Sequence, residues 1–172
     1  MEFLNKDELK SVVAHEAGHL RKKHLLFFTI AILGFMVLAQ IILTGLTLSF
    51  PQSPIIQESS LVLPLWLVGL LIFIRFGFGF LSRNFERQAD CNALSRNGLT
   101  PITNALFKVS WINAIDPERS NWHHWGIREL VNFLKQCEED PQKINRHHHR
   151  VSKIQAGCMM IVSLLLTGNL YL

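Results

Sequence analysis

The sequence has few cysteines, no internal repeat and no low-complexity tract. Its three cysteines, Cys91, Cys137 and Cys158, follow no regular spacing. This excludes a disulfide framework and a zinc-knuckle pattern, and it favours a structural role for each thiol in a reducing compartment. An alternating strand pattern is also lacking, which indicates a mainly helical chain. A short β-hairpin within residues 112–125 is the one alternative to a helical chain.

Charge is nearly absent from three long segments. Residues 25–50 carry no charged side chain, residues 61–80 carry only Arg75, and residues 156–172 carry none. A helix rises about 1.5 Å per residue, so the first two segments can cross a hydrocarbon core of roughly 30 Å. The remaining chain is too short to enclose them as core helices. We therefore predict an integral membrane protein, with Arg75 reaching the lipid headgroups.

Lysine and arginine are missing from the loop at 51–60 but flank both outer ends of the two long segments. This distribution predicts a transmembrane hairpin whose outer ends lie in the cytoplasm. The net charge of +4 is then mainly a topology signal, and we expect the lipid bilayer rather than a nucleic acid as partner.

The first polar segment has the pattern of an amphipathic helix. Asn5 and Glu8 have the spacing of a capping box. A helix starting there gives Glu16 a position about 20° from the centre of an apolar stripe. A buried carboxylate is costly unless a neighbouring group needs it, as a divalent metal with a bound water does. The stripe predicted to face the core consists of Leu9, Val12, Val13, Ala17 and Leu20.

His15 and His19 lie side by side on the flank of this stripe, and with Glu16 they form H-E-x-x-H. In this motif two imidazoles bind zinc and the glutamate acts as base. Two surface histidines are the alternative, so a third ligand is needed. His24 would point about 140° away from His19 on a continuous helix and is predicted to lie at the membrane interface. The histidine run at 147–149 is predicted to form a solvated basic face.

The segment LSRNFERQAD, residues 81–90, offers a better third ligand. Glu86 and Asp90 are four residues apart and share a helix face. One carboxylate would complete a zinc site, while the other would accept a hydrogen bond from a ligand histidine. A surface acidic pair balanced by Arg83 and Arg87 is the alternative. Two antiparallel spans would return this segment to the side of the membrane that holds the histidines.

The motifs VVAHEAGHL and LSRNFERQADCNAL together resemble the membrane-embedded zinc metallopeptidases of the M48 type. That group includes the heat-shock-linked membrane protease and the CAAX prenyl endopeptidase. The second motif of the family, S-R-x-x-E-x-x-A-D, is matched at every fixed position by Ser82, Arg83, Glu86, Ala89 and Asp90. The segment NWHHWGIRELVNFL is similar to a W-x-H-G-S-I segment of some members, although Trp125 and Gly126 replace the expected glycine and serine.

The resemblance implies an all-α integral membrane protein of the zincin type, with a transmembrane hairpin inserted between the two motif helices. Residues 1–24 would form the H-E-x-x-H helix, 25–81 the hairpin, and 82–155 the remainder of the peptidase domain. Residues 156–172 would form a third transmembrane or membrane-associated helix.

The resemblance also implies the roles of the site residues. His15, His19 and Glu86 would bind one Zn²⁺ per chain, and Glu16 would be the general base. Asp90 would support a ligand histidine by a hydrogen bond. His124 would be a candidate donor to the tetrahedral oxyanion.

The function expected from these features is zinc-dependent endopeptidase activity on peptides or membrane proteins. We expect the chain in a bacterial cytoplasmic membrane, with the zinc site on the cytoplasmic side. Two alternatives stay open: a catalytically inactive membrane scaffold or regulatory binding protein, and a metal-binding membrane protein without peptidase activity. The sequence does not specify the substrate or the oligomeric state.

Overall fold

The computed structural model describes residues 3–53, 59–118 and 125–169. Over these ranges the chain forms seven α-helices and no strand, so the predicted all-α class is confirmed. The helices are α1 (Lys6–Arg21), α2 (His24–Ser49), α3 (Ser59–Ile72), α4 (Gly79–Asn97), α5 (Leu99–Ile112), α6 (Ile127–Glu139) and α7 (Gln142–Asn169), and a π-helical segment (Phe73–Phe78) joins α3 to α4.

Within the described ranges, three helical stretches are long and apolar enough to cross a membrane: His24–Ser49, Val62–Asn97 and Gln142–Gly168. The chain is therefore a membrane protein. The second stretch runs without interruption from α3 into α4, so the segment at 81–90 lies on the continuation of a span. Likewise α7 unites the polar residues from Gln142 onward with the apolar segment at 156–169. Both junctions connect a span directly to the polar part of the chain.

Helix α1 begins at the predicted capping box. Asn5 Oδ1 accepts the backbone N–H of Glu8 at 2.8 Å, and Glu8 Oε2 accepts that of Asn5 at 2.9 Å. The helix ends at Arg21, and Lys23 adopts a left-handed conformation with φ of 55°. Because α2 is a new helix that begins at His24, the direction of the His24 side chain cannot be extrapolated from the helical periodicity of α1.

The buried face of α1 differs from the predicted apolar stripe. The prediction was wrong: Leu9, Val13 and Leu20 are 53%, 60% and 79% exposed. The buried face instead consists of Glu8, Ser11, Ala14 and Gly18.

Small side chains explain why this polar face is the buried one. A Cβ added at Gly18 would lie 2.9 Å from the Cα of Ala89, so the two backbones are nearly in contact. Asn92 Nδ2 donates to the carbonyl oxygen of Ala14 at 2.6 Å across the same interface. Close approach of α1 and α4 brings the side chains of the two motifs within reach of each other.

The core of the polar part lies between α1, α4, α5 and α6. It is formed by Ala14, Cys91, Ala93, Leu94, Ile102, Leu134 and Cys137. Cys91 and Cys137 are buried free thiols, which fits the predicted structural role. Lys108 Nζ donates to Glu8 Oε2 at 2.7 Å and ties α5 to the start of α1. The hydrogen bond with Lys108 lowers the pKa of Glu8.

Candidate metal centre

Three predicted ligand residues converge where α1 crosses α4. The Nε2 atoms of His15 and His19 are 3.1 Å apart. Glu86 Oε2 lies 3.6 Å from His15 Nε2, and Glu86 Oε1 lies 3.6 Å from His19 Nε2. One ligand atom from each residue falls within 4.8 Å of the others. Among the described residues no other group of three His, Cys, Asp or Glu side chains has such an arrangement.

Asp90 forms a hydrogen bond with His15 on the side of the imidazole ring that faces away from His19 and Glu86. Its Oδ1 accepts a hydrogen bond from His15 Nδ1 at 2.7 Å, and the carboxylate is buried. With the proton on Nδ1, the lone pair of His15 Nε2 faces His19 and Glu86. The second carboxylate oxygen, Asp90 Oδ2, is buried without a hydrogen-bond partner.

The two histidines differ in their affinity for a proton. Burial lowers the pKa of His15, but the hydrogen bond to Asp90 and the charges of Asp90, Glu86 and Glu16 outweigh it and raise that pKa. Burial, with the neighbouring His15, lowers the pKa of His19. As the pH falls, His15 is therefore the first of the pair to take up a second proton.

His24 lies beside His19, which corrects the prediction that its side chain points away from that residue. Its side chain is 1% exposed, with Nδ1 at 2.9 Å from His19 Nδ1. Nε2 of His24 donates to Gln88 Oε1 at 2.9 Å. The physical reason is the left-handed turn at Lys23, which redirects the side chain toward α4. His24 is outside the ligand group, in agreement with its rejection as a ligand.

Glu16 is exposed and faces a cavity beside the ligand residues. The cavity has a volume of about 310 Å³. Its polar wall is formed by His15, Glu16, Glu86 and Asp90, and its apolar wall by Val12, Ile102, Ala105, Leu106, Val109, Ile115, Trp125, Ile127 and Leu130. The cavity can accept a large apolar group within reach of the His15 imidazole and the carboxylates of Glu16 and Glu86.

Trp125, which departs from the family pattern, forms one side of the cavity. Its indole Nε1 donates to the carbonyl oxygen of Arg83 at 3.2 Å. The guanidinium of Arg87 lies 4.0 Å from the centre of the indole ring, within cation–π range. The ring thus closes the cavity against α4. His124, the predicted oxyanion donor, lies outside the described residues.

The histidine run on α7 is only partly solvated, so the prediction of a solvated basic face was wrong for two of its members. His147 is 9% exposed, with Nε2 at 3.2 Å from the carbonyl oxygen of Asn84. His148 Nδ1 accepts from Gln88 Nε2 at 3.0 Å. His149 is exposed. The run faces α4 because α7 is one continuous helix packed along that side of the molecule.

Comparison with known proteins agrees with the motifs. The chain is 30% identical over 153 residues to a CAAX prenyl protease 1 homolog of Arabidopsis thaliana, covering 81% of this chain and 35% of that protein. It is 26% identical over 152 residues to a CAAX prenyl protease 1 homolog of Oryza sativa subsp. japonica, with the same coverage of 81% and 35%. The chain thus spans about a third of the length of these curated relatives. No solved structure matches it.

The family follows from a match to a protein-family model. The model of peptidase family M48 matches residues 1–124, which include both motifs and the intervening spans. The predicted resemblance is confirmed, and the chain belongs to peptidase family M48.

Proposed function

We propose that this membrane peptidase is a zinc-dependent endopeptidase in which His15, His19 and Glu86 bind the metal. The observation that carries the proposal is the convergence of their ligand atoms within 4.8 Å. Zinc bonds of about 2.0–2.1 Å in a tetrahedron separate neighbouring ligand atoms by about 3.3 Å. The two nitrogens are 3.1 Å apart, and each lies 3.6 Å from a different oxygen of Glu86. These separations lie on both sides of that value, so the residues fit the ion.

The two facing imidazole nitrogens give an independent argument for a cation. When Asp90 accepts the Nδ1 proton of His15, the Nε2 atom presents a lone pair toward His19 Nε2 at 3.1 Å. Two lone pairs at this distance repel each other unless a proton or a metal ion lies between them. Burial raises the pKa of Glu86 beside them to about 7. Its ionised carboxylate adds a negative charge that favours a divalent ion.

A bound zinc ion would polarise the scissile carbonyl and lower the pKa of an attacking water. Glu16 would take the proton of that water and pass it to the leaving amine. His15 would be held in position by Asp90, and Glu86 would hold the ligand set against α4. Residues 25–81 would act as a hairpin that joins the two motif helices, and residues 82–155 would complete the peptidase domain.

The basic flanks of the hairpin support a site on the cytoplasmic side of the membrane, and we propose a bacterial cytoplasmic membrane. His124 stays a prediction as the donor to the oxyanion. An inactive scaffold, or a metal-binding protein without peptidase activity, would have no use for Glu16 at the edge of the cavity.

Zinc content and cleavage, measured together, test the proposal. Protein purified in detergent should hold one zinc per chain and cleave casein or itself, and His19→Ala and Glu86→Gln should lose both properties. His149→Ala, an exposed histidine of α7, is the matched control and should retain both. Full cleavage by a metal-free sample would refute the zinc mechanism. Zinc without cleavage in the wild type would instead favour the scaffold or the metal-binding protein.

Acid should release the zinc. A ligand imidazole must be neutral to bind metal, and the pKa of His15 is raised in the folded protein. Protons compete with zinc for His15, so zinc affinity should fall as the pH drops below that pKa, with His15 protonated before His19. Burial raises the pKa of Glu86 to about 7, so this ligand also gains a proton as the pH falls. Zinc content after dialysis between about pH 8 and about pH 5 measures this release, and circular dichroism at each pH excludes unfolding. Zinc content that stays constant over this range in dialysis against a competing chelator would contradict the assignment of His15 as a ligand.

The cavity suggests the substrate class. Its wall is mostly apolar, and the relatives are named CAAX prenyl proteases. We propose a substrate with a bulky apolar group, such as a prenyl chain or a large apolar side chain, close to the scissile bond. A peptide with a farnesylated cysteine should be cleaved faster than the same peptide without the modification.

Val109→Trp should fill the cavity and weaken cleavage of the apolar substrate. Val109 lines the cavity but is 40% exposed, so the larger side chain can be accommodated without strain in the core. We expect kcat/KM to fall roughly 10- to 100-fold, the usual effect of lost apolar contacts in a binding pocket. Ile112→Trp, on an exposed position of the same helix outside the cavity, is the control. An equal kcat/KM for the two variants would show that substrates do not enter the cavity.

A further inference from the structure

A chain of polar side chains leads away from His19 on the side opposite the ligand group. His19 Nδ1 lies 2.9 Å from His24 Nδ1, and His24 Nε2 lies 2.9 Å from Gln88 Oε1. Gln88 Nε2 in turn lies 3.0 Å from His148 Nδ1. His24 and Gln88 are each 1% exposed, so water does not compete for these bonds. The chain joins α1, the first residue of α2, α4 and α7.

The proton positions follow from the chemistry of these groups. Gln88 Oε1 can only accept, so His24 Nε2 carries the proton. His24 Nδ1 is then an acceptor, so His19 Nδ1 carries a proton and donates a hydrogen bond to it. This leaves His19 Nε2 unprotonated, with its lone pair toward His15 Nε2 at 3.1 Å and Glu86. The amide of Gln88 is oriented by His148, because its NH₂ group donates to that ring.

Packing fixes the orientation of the His24 ring. The ring lies parallel to Phe85, with centroids 4.2 Å apart and an interplanar angle of 1°. It meets the His19 ring edge-on at 84°, with centroids 4.8 Å apart. Phe85 is fully buried. Rotation of the His24 ring would break this stacking as well as both hydrogen bonds.

We infer that His24 is a positioning residue of the metal centre: it fixes the tautomer of His19, and Gln88 fixes the tautomer of His24. His24 and Gln88 together hold His19 in one tautomer, as Asp90 does for His15. The inference rests on the proposed zinc site. A partner on the second nitrogen of a ligand histidine typically accounts for about 10- to 100-fold in metal affinity.

Zinc affinity of matched variants tests the inference. In His24→Phe the ring volume and the stacking on Phe85 are kept, but His19 loses its acceptor. In Gln88→Leu, His24 keeps its place but loses the group that selects its tautomer. Both variants should bind zinc about 10- to 100-fold more weakly in a chelator competition. Gln88→Glu retains an acceptor oxygen for His24 Nε2 and should bind within a few-fold of the wild type. His149→Ala is the control.

A second readout uses the metal-free protein. Nitrogen-15 spectra of the imidazoles should assign the proton of His19 to Nδ1 in the wild type and in Gln88→Glu. In His24→Phe and Gln88→Leu the two tautomers of His19 should be mixed. A merely structural role for His24 would not change these spectra in Gln88→Leu, where the His24 ring is still present.

Two outcomes would overturn the inference. One is wild-type zinc affinity in both His24→Phe and Gln88→Leu, and the other is a His19 tautomer that neither substitution changes. A wild-type protein without any zinc affinity would refute the proposed function instead, and the metal-free spectra would still report on the tautomer. Circular dichroism separates both cases from misfolding, and Gln88→Leu keeps the test valid if His24→Phe does not fold.

Discussion

Glu16→Gln is expected to lower the rate of peptide cleavage by about 10²- to 10⁴-fold, the usual contribution of a general base, while zinc stays bound. The glutamine has nearly the same shape but cannot take a proton from water. Glu16 faces the cavity beside His15 and Glu86 and is exposed. It lies outside the three-residue ligand group, so its replacement leaves that group intact. The loss should therefore appear in kcat rather than in zinc content.

The measurement compares the wild type and Glu16→Gln for zinc content and for cleavage of casein and of the farnesylated peptide. Glu138→Gln, an exposed glutamate of α6, is the matched control and should cleave at the wild-type rate. If Glu16→Gln and the wild type cleave equally, Glu16 is not the base. Loss of zinc in Glu16→Gln would instead indicate that this carboxylate contributes to the metal site.

The sequence predicted the fold class and the residues of the site because both depend on local patterns. The apolar runs predicted the spans, and the i, i+4 spacings of His15 with His19 and of Glu86 with Asp90 predicted shared helix faces. The return of the second motif to the first followed from the even number of spans between them. The structure brings these residues together where α1 crosses α4.

Other features depend on how helices meet, which a single sequence does not specify. The apolar side of α1 was expected to be buried, yet α4 packs on Ala14 and Gly18 because small side chains allow the closer approach. The role of His24 was missed because the left-handed conformation of Lys23 breaks the helical phase. Lysine gives no signal for such a conformation, in contrast to glycine. His148 was missed for a related reason, since its neighbour Gln88 lies on a helix 60 residues away in sequence.

Gly18→Val should destabilise the protein by about 3 kcal/mol, at the upper end of the usual cost of overpacking, because no room exists for the side chain. The first added carbon alone would lie 2.9 Å from Ala89 Cα and 3.3 Å from Asn92 Cβ. The nearest of these contacts is with backbone, so the conflict is relieved only by moving α1 away from α4. That movement would separate the two histidines from Glu86, and zinc affinity should fall together with stability.

Gly45→Val is the matched control, since the same change is made in a helix but a Cβ there meets nothing within 4 Å. Its stability should change by less than about 0.5 kcal/mol, as for other surface positions. Thermal unfolding in detergent, followed by circular dichroism with and without zinc, measures both variants. If Gly18→Val matched the control in unfolding midpoint and zinc affinity, the close contact of α1 with α4 would not be what holds the ligands together. The expected loss of both stability and zinc affinity would instead show that the metal centre depends on the close packing of α1 on α4. This dependence is expected because the ligands come from both helices.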